Sequence, residues 1–216
     1  MTFQIHSWRL DPLDNNTYLI VDRRSRHGVL VDPSFHSEEL LPQIRAHCDE
    51  IELLLLTHSH FDHVAGLAFY KRETQAAVAL HADAVELLEL AATTAQMFEM
   101  EVEDCPPPDR FIIDSEVIQV GDTKMTALLT PGHAPGHLSF ALDGVVLSGD
   151  ALFAGSIGRT DFPGCNLEQL LHSIRTRLYT LPGETRVLPG HREETTIAVE
   201  MAGNPFCPAL KSHDRS

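Results

Sequence analysis

The sequence predicts one α/β domain (α+β in its strand arrangement) over residues 1–216, with layered sheets whose strands end along a common edge. Three observations carry that expectation. Short apolar runs alternate with stretches of helical periodicity along the chain. Four runs share one plan: Leu55-Leu56-Thr57-His58, Leu128-Leu129-Thr130-Pro131-Gly132-His133, Val145-Val146-Leu147-Ser148-Gly149-Asp150 and Arg186-Val187-Leu188-Pro189-Gly190-His191. In each an apolar strand stops at a potential metal ligand, three times directly after a glycine, which lets the backbone bend over the strand end. No linker interrupts the pattern, so one domain is expected.

Taken in order, residues 3–7, 16–22 and 28–32 read as strands joined by tight turns, an antiparallel start closed by Pro33. A helical face of Leu40, Leu41 and Ile44 runs through 37–47, where Pro42 is tolerated only near the first turn. Leu53 to Leu56 is too short for a helix and reads as a buried strand. A helix over 64–70, a strand over 77–80 and a helical pattern over 81–92 follow. Met97 and Phe98 then read as core, the alternative being an apolar lid over a pocket, and Cys105-Pro106-Pro107-Pro108 cannot continue any helix. Strands at 116–120 and 124–129 flank the turn Gly121-Asp122. Asn166 caps an amphipathic helix carrying Leu167, Leu170, Leu171, Ile174 and Leu178. Residues 193–201 form the last helix, and the proline-broken tail from Gly203 to Ser216 is expected to fray.

Composition excludes several function classes. With 31 acidic against 16 basic residues the net charge is −15, so nucleic acid and anionic membrane are poor partners, since both demand a positive footprint. The start of the chain lacks the basic and apolar regions of a signal peptide, and no segment is long and apolar enough to span a bilayer, so a cytoplasmic location is expected. Cys48, Cys105, Cys165 and Cys207 form no C-x-x-C pair and read as reduced thiols.

The chemistry concentrates in Thr57-His58-Ser59-His60-Phe61-Asp62-His63, where packing alone would leave costly unpartnered polar groups. His58 and His60, two apart on extended chain, point the same way; Asp62 and His63 diverge unless the chain turns into a helix. If the strand ends share an edge, His133, Asp150 and His191 join them. One divalent ion then takes His58, His60 and His133, a second takes Asp62, His63 and His191, and Asp150 bridges. Imidazoles with carboxylates suit zinc, with iron or manganese as alternatives, and disfavour calcium. A hydroxide shared by the ions, with Asp62 and Asp150 as the catalytic carboxylates, is a nucleophile for hydrolysis. Asp32 either stabilises its turn or sits beneath the metal site, and His137 reads as either a residue supporting the site or the start of a strand, not as a ligand. Arg159 either meets a substrate carboxylate or pairs with Asp161 to hold its loop; Phe153, Met97 and Phe98 are further candidates for substrate contact. His6, His27, His36, His47, His81, His172 and His213 have no ligand-like company. Cys165 lies near the site in sequence.

The H-x-H-x-D-H cluster of His58 to His63, with His133, Asp150 and His191 in order, resembles the metallo-β-lactamase superfamily over nearly the whole chain. That resemblance implies a four-layer αββα sandwich with its metal site at the sheets' edge. Leu152 to Gly164 and Gly203-Asn204-Pro205-Phe206 resemble the short, single-domain glyoxalase II-like hydrolases, which cleave the thioester S-lactoylglutathione. A small anionic thioester is then the expected partner. Asp150 stands where the antibiotic-degrading lactamases commonly carry cysteine, and His60 where flavodiiron proteins place a carboxylate. Persulfide dioxygenases are the runner-up: they share Gly158-Arg159-Thr160-Asp161-Phe162, and their single iron would match His58, His133 and Asp150. The chain lacks the C-terminal helical domain that supplies basic residues for glutathione in full-length glyoxalase II, which leaves a broader thioesterase or lactonase activity open. A module that merely holds metal is the non-enzymatic reading.

Overall fold

A computed structural model describes residues 1–208. The first half supplies strands β1 (Phe3–Leu10), β2 (Asn15–Asp22), β3 (His27–Val31), β4 (Glu50–Leu55), β5 (Ala77–Leu80) and β6 (Arg110–Phe111), with helices α1 (Leu41–His47), α2 (Phe61–Val64), α3 (Leu67–Thr74), α4 (Val85–Glu89) and α5 (Ala91–Met97) between them. The second half supplies β7 (Val117–Val120), β8 (Thr123–Leu129), β9 (Leu138–Leu142), β10 (Val145–Gly149), the hairpin β11 (Leu152–Phe153) and β12 (Ser156–Ile157), α6 (Leu167–Ser173), β13 (Arg186–Pro189), β14 (Thr195–Thr196) and α7 (Ile197–Gly203). One six-stranded sheet runs β1-β2-β3-β4-β5-β6 and the other β14-β13-β10-β9-β8-β7. The expected antiparallel start is present in β1–β2 and β2–β3, after which β3 to β6 run parallel.

Side-chain alternation along the strands assigns the layers. Tyr18, Ile20, Val29, Val31, Leu53 and Leu55 face the gap between the sheets, where they meet Met125, Leu138, Phe140, Val145 and Leu147. Their neighbours Leu19, Val21, Leu30, Leu54 and Leu56 face the other way, onto Leu41 and Ile44 of α1 and Leu67 and Tyr70 of α3. Val146 and Val187 likewise leave the gap to pack on Leu170, Ile174 and Ile197. Three apolar layers separated by two sheets are the αββα sandwich expected from the resemblance.

Helix boundaries differ from the periodicity. Residues 37–47 split into a 3-10 turn over Ser37–Leu40 and α1, which begins at Leu41 so that Pro42 falls in its first turn. The helix expected over 64–70 is two, α2 and α3, meeting at Ala65-Gly66, and the pattern over 81–92 resolves into a 3-10 turn, α4 and α5. Asn166 caps as expected, its side chain accepting from the Gln169 N–H, and the helix continues through a π-helical turn, Ile174–Leu178. The last helix starts four residues late, because Thr195 and Thr196 pair with β13 and Thr196 then caps α7. The core reading of Met97 and Phe98 is corrected: α5 buries only Ala91 and Ala95, Met97 stands in solvent at 79% exposed, and Phe98, just past the helix, is half-exposed at 45%. His213 and the end of the tail lie outside the described residues.

Candidate metal centre

The expected ligands arrive at one rim from both sheets. β4 runs out at Leu55, the chain bends at Thr57, and His60 is extended just before α2 begins at Phe61, so the chain does turn helical where Asp62 and His63 must diverge. β10 ends at Gly149, just before Asp150, and β13 runs parallel beside it to Pro189, which leads into Gly190 and His191. The rim is stitched by the Leu138 N–H to the Thr57 carbonyl at 2.7 Å, Gly190 to Gly149 at 2.8 Å and Asn16 to Gly190 at 2.7 Å.

All seven side chains converge. Ligand atoms of His58, His60 and His133 lie within 4.8 Å of one another, as do those of Asp62, His63 and His191. Asp150 stands between the sets: Oδ2 is 3.5 Å from His133 Nε2 and 3.3 Å from His191 Nε2, and Oδ1 is 3.4 Å from His63 Nε2. A third grouping, Asp32 with His58 and His63, also meets the distance, but the Asp32 carboxylate is already occupied by the Thr57 N–H, the Thr57 hydroxyl and His63 Nδ1.

Hydrogen bonds fix which ring nitrogens face inward. The Thr57 hydroxyl donates to Asp32 Oδ2 at 2.6 Å, so it accepts from His58 Nδ1 at 2.9 Å, leaving Nε2 with a lone pair. His133 Nδ1 donates to the Arg159 carbonyl, His191 Nδ1 to the Leu13 carbonyl, each at 2.8 Å, and His63 Nδ1 to Asp32. Nε2 therefore faces the centre on four rings. His58 Nε2, His133 Nε2 and Asp150 Oδ1 are buried without a hydrogen-bond partner, and His63 Nε2 and His191 Nε2 oppose each other at 3.2 Å. Buried lone pairs aimed at one another are unfavourable unless a cation lies among them. The donor set fits borderline divalent metal ions.

The electrostatics agree. Burial, reinforced by neighbouring rings, pushes His58 well down and His60 down to about 3, so both are neutral ligands. Burial also opposes charge at His63 and His191, yet the Asp150 and Asp62 carboxylates outweigh it and raise both, His191 to about 10, so the carboxylates favour a positive charge at each Nε2, whether a proton or a metal ion. The pair of carboxylates calls for positive charge between them.

Supporting residues include several that sequence reasoning missed. Asn15 Nδ2 donates to Asp62 Oδ2 at 2.9 Å and aims that carboxylate. Thr57, inside the quoted motif, orients His58. His137 accepts the Asp150 N–H on Nε2 at 3.0 Å and donates from Nδ1 to Thr130, so it supports the centre without joining it. Arg159 forms a two-pronged pair with Asp161, both bonds 2.8 Å, and lies 3.8 Å over the Phe162 ring, which favours the loop-holding reading. Phe162 stands edge-on to His60 and to Phe98, and Phe98 stacks on Phe61, so Phe98 belongs to an aromatic wall beside the first ligand set. The Cys165 thiol donates to the His133 carbonyl, and burial raises its pKa, the opposite of an activated thiol. A cleft of about 320 Å³ opens over the centre, with His133, Asp150 and His191 in its floor and Phe153, Arg159 and Arg192 in its walls.

The chain belongs to the metallo-β-lactamase superfamily, whose sequence profile matches residues 10–191. Hydroxyacylglutathione hydrolase GloC of Haemophilus influenzae is 35% identical over 185 residues, 84% of this chain and 87% of that one. Two crystal structures superpose with a TM-score of 0.85: TTHA1623 in a di-iron-bound form, 36% identical over 93% of this chain and 99% of that one, and BLEG-1 B3 metallo-β-lactamase, 31% identical over 94% and 99%. The protein is thus similar to metallo-hydrolases throughout, and its fold is one built around divalent metal. Among the described residues no helix is long and apolar enough to cross a membrane.

Proposed function

We propose that the protein is a metal-dependent thioester hydrolase acting on an S-acylated thiol of the S-lactoylglutathione type. The observation that carries this reading is Asp150, a carboxylate set between two complete ligand groups under an open cleft. The printed name of the Haemophilus influenzae relative supports the substrate class. His58, His60 and His133 would hold one divalent ion and Asp62, His63 and His191 a second, zinc before iron or manganese, with Asp150 between. When bound, such ions polarise a carbonyl and acidify water towards neutral pH. The chain's own part is to aim Nε2 lone pairs inward, to orient Asp62 through Asn15, and to screen one side with Phe162 and Phe98. Water adds to the acyl carbon and the carbon–sulfur bond breaks; a thiol has a pKa of about 8.5, so sulfur departs as thiolate without a side-chain acid. Four free cysteines and a glutathione-type substrate suit the cytoplasm.

Metal content per chain, measured with S-lactoylglutathione hydrolysis and with oxygen uptake on glutathione persulfide, tests the proposal. Two metals, thioester cleavage and no oxygen uptake are expected. A single iron with oxygen uptake and intact thioester would make the protein a persulfide dioxygenase; β-lactam hydrolysis without thioester cleavage would make it a lactamase; metal without turnover would leave a binding module. Asp150→Ala should abolish whichever activity is present.

A further inference from the structure

We infer that Arg192 selects substrate by charge, its guanidinium receiving a carboxylate of the thiol carrier, whose arm occupies a second cleft that shares Arg192 with the cleft over the metal centre. The inference rests on the thioesterase reading and names the group that would anchor the thiol carrier.

Arg192 follows His191 and lines two clefts at once, the one over the metal centre and a neighbouring one of about 560 Å³ whose lining includes Ser7, Arg9, Asn16, Tyr18, Glu193 and Glu194, the last paired with Arg186. Both volumes fall within the range of about 300–1,000 Å³ typical of small-molecule sites. The other arginines here are committed: Arg159 to Asp161, and Arg9 to Glu193 at 2.9 Å. Among the described residues Arg192 has no carboxylate partner, in a chain whose net charge is −15. An unpaired cation beside a reaction centre in so acidic a chain is the place an anion will be held.

Its backbone is built to present it. Arg192 sits in the left-handed region at φ 64°, a conformation that costs free energy for a residue with a side chain. Two groups hold it there: its N–H donates to the Asp14 carbonyl at 3.2 Å, and Asn16 Nδ2 donates to the Arg192 carbonyl at 2.8 Å while also reaching the Pro189 carbonyl at 3.0 Å. The turn carrying the guanidinium is thereby fixed to the start of β2. Ser7, Asn16 and the Arg9–Glu193 pair give the second cleft polar walls suited to a peptide-like arm with charges of both signs.

The test compares metal-loaded wild type, Arg192→Ala, Arg192→Lys and Ser7→Trp on S-lactoylglutathione and on S-lactoyl-N-acetylcysteamine, whose carrier has no carboxylate, with calorimetric binding of the uncleavable S-methylglutathione. Arg192→Ala should raise KM for S-lactoylglutathione about 10- to 100-fold with little change in kcat, and its loss in kcat/KM should be at least tenfold smaller on the neutral thioester. Arg192→Lys should recover part of the loss. Ser7→Trp, which fills the second cleft away from the metals, should weaken S-methylglutathione binding and raise KM for S-lactoylglutathione while sparing the neutral thioester. Equal losses on both thioesters, or wild-type binding of S-methylglutathione by Arg192→Ala, would overturn the inference while leaving the hydrolase reading intact. Arg192-dependent binding of S-methylglutathione by an enzyme that cleaves neither thioester would overturn the hydrolase reading and keep the subsite.

Discussion

Asp32 closes β3 in a left-handed conformation, φ 48°, and its carboxylate takes three hydrogen bonds, from the Thr57 N–H and hydroxyl and from His63 Nδ1. Through them it orients one ring in each ligand set, since Thr57 in turn holds His58. A carboxylate accepts all three; a carboxamide oxygen lies on one side only and its NH₂ opposes a donor. Asp32→Asn should therefore weaken metal binding about 10- to 100-fold, read by competition with a chromogenic chelator. Asp22 plays a purely structural role. Buried at the end of β2, it accepts from the Ser25 N–H and hydroxyl, the Arg24 and Asp122 N–H groups and the Thr123 hydroxyl, tying the two sheets together. The Ser25 N–H above all holds its carboxyl well below the ordinary carboxylate range. A depressed folded-state pKa gives stability that is fully present above the unfolded value of about 3.9 and is lost as pH falls below it. Asp22→Asn should cost about 2 kcal/mol at neutral pH, and its gap in Tm to wild type should close as the pH is lowered from about 5 to 2.

The strand ends explain why glycine precedes three of the ligands, and the reason is not the same each time. Gly149 adopts φ 50°, so Asp150 follows a left-handed bend. Gly190 is needed for space: a methyl there would overlap the Asp150 carboxylate and lie 2.7 Å from His63 Cε1. Gly190→Ala should fold, with Tm close to wild type under chelation, yet bind fewer metal ions per chain by elemental analysis. The β11–β12 hairpin, whose Phe153, Ser156 and Ile157 border the cleft, is braced from the far end of the chain. Asn204 Nδ2 donates to the Ser156 carbonyl at 3.0 Å and to Glu200, while Glu200 accepts the Gly155 N–H at 2.9 Å. That gives the Gly203-Asn204-Pro205-Phe206 segment a physical role as the hairpin's strut. Asn204→Ala should cost about 1 kcal/mol in thermal denaturation and raise KM several-fold, because the cleft wall loses its support.

In the molecule as a whole, seven polar side chains, most of them buried, meet where the sheets end, and His58 Nε2, His133 Nε2 and Asp150 Oδ1 find no hydrogen-bond partner there. Ligands that bind only the native state stabilise it by mass action, so stripping the metal with a strong chelator should lower Tm by on the order of 10 °C, and adding zinc back should restore it. A Tm indifferent to chelation would contradict the centre described here.

The convergence of the seven candidate donors and the layers were legible in the chain because they depend on local regularities. A strand with period two and a histidine at its end can be read residue by residue, and Tyr18/Leu19 or Leu53/Leu54 already declare opposite faces. Helix ends were less legible: Gly66 and Thr196 interrupt apolar periodicity for reasons of capping and strand pairing that the pattern does not carry. What the sequence by itself determined is which candidate donors gather at the rim and the order in which they arrive. Only the tertiary structure decided which nitrogen each ring presents, that Asp32, Asn15 and His137 stand behind the ligands, and that Arg192 joins two clefts. Those facts are hydrogen bonds and contacts between segments up to 178 residues apart, as between His191 and Leu13, and no local spacing encodes them.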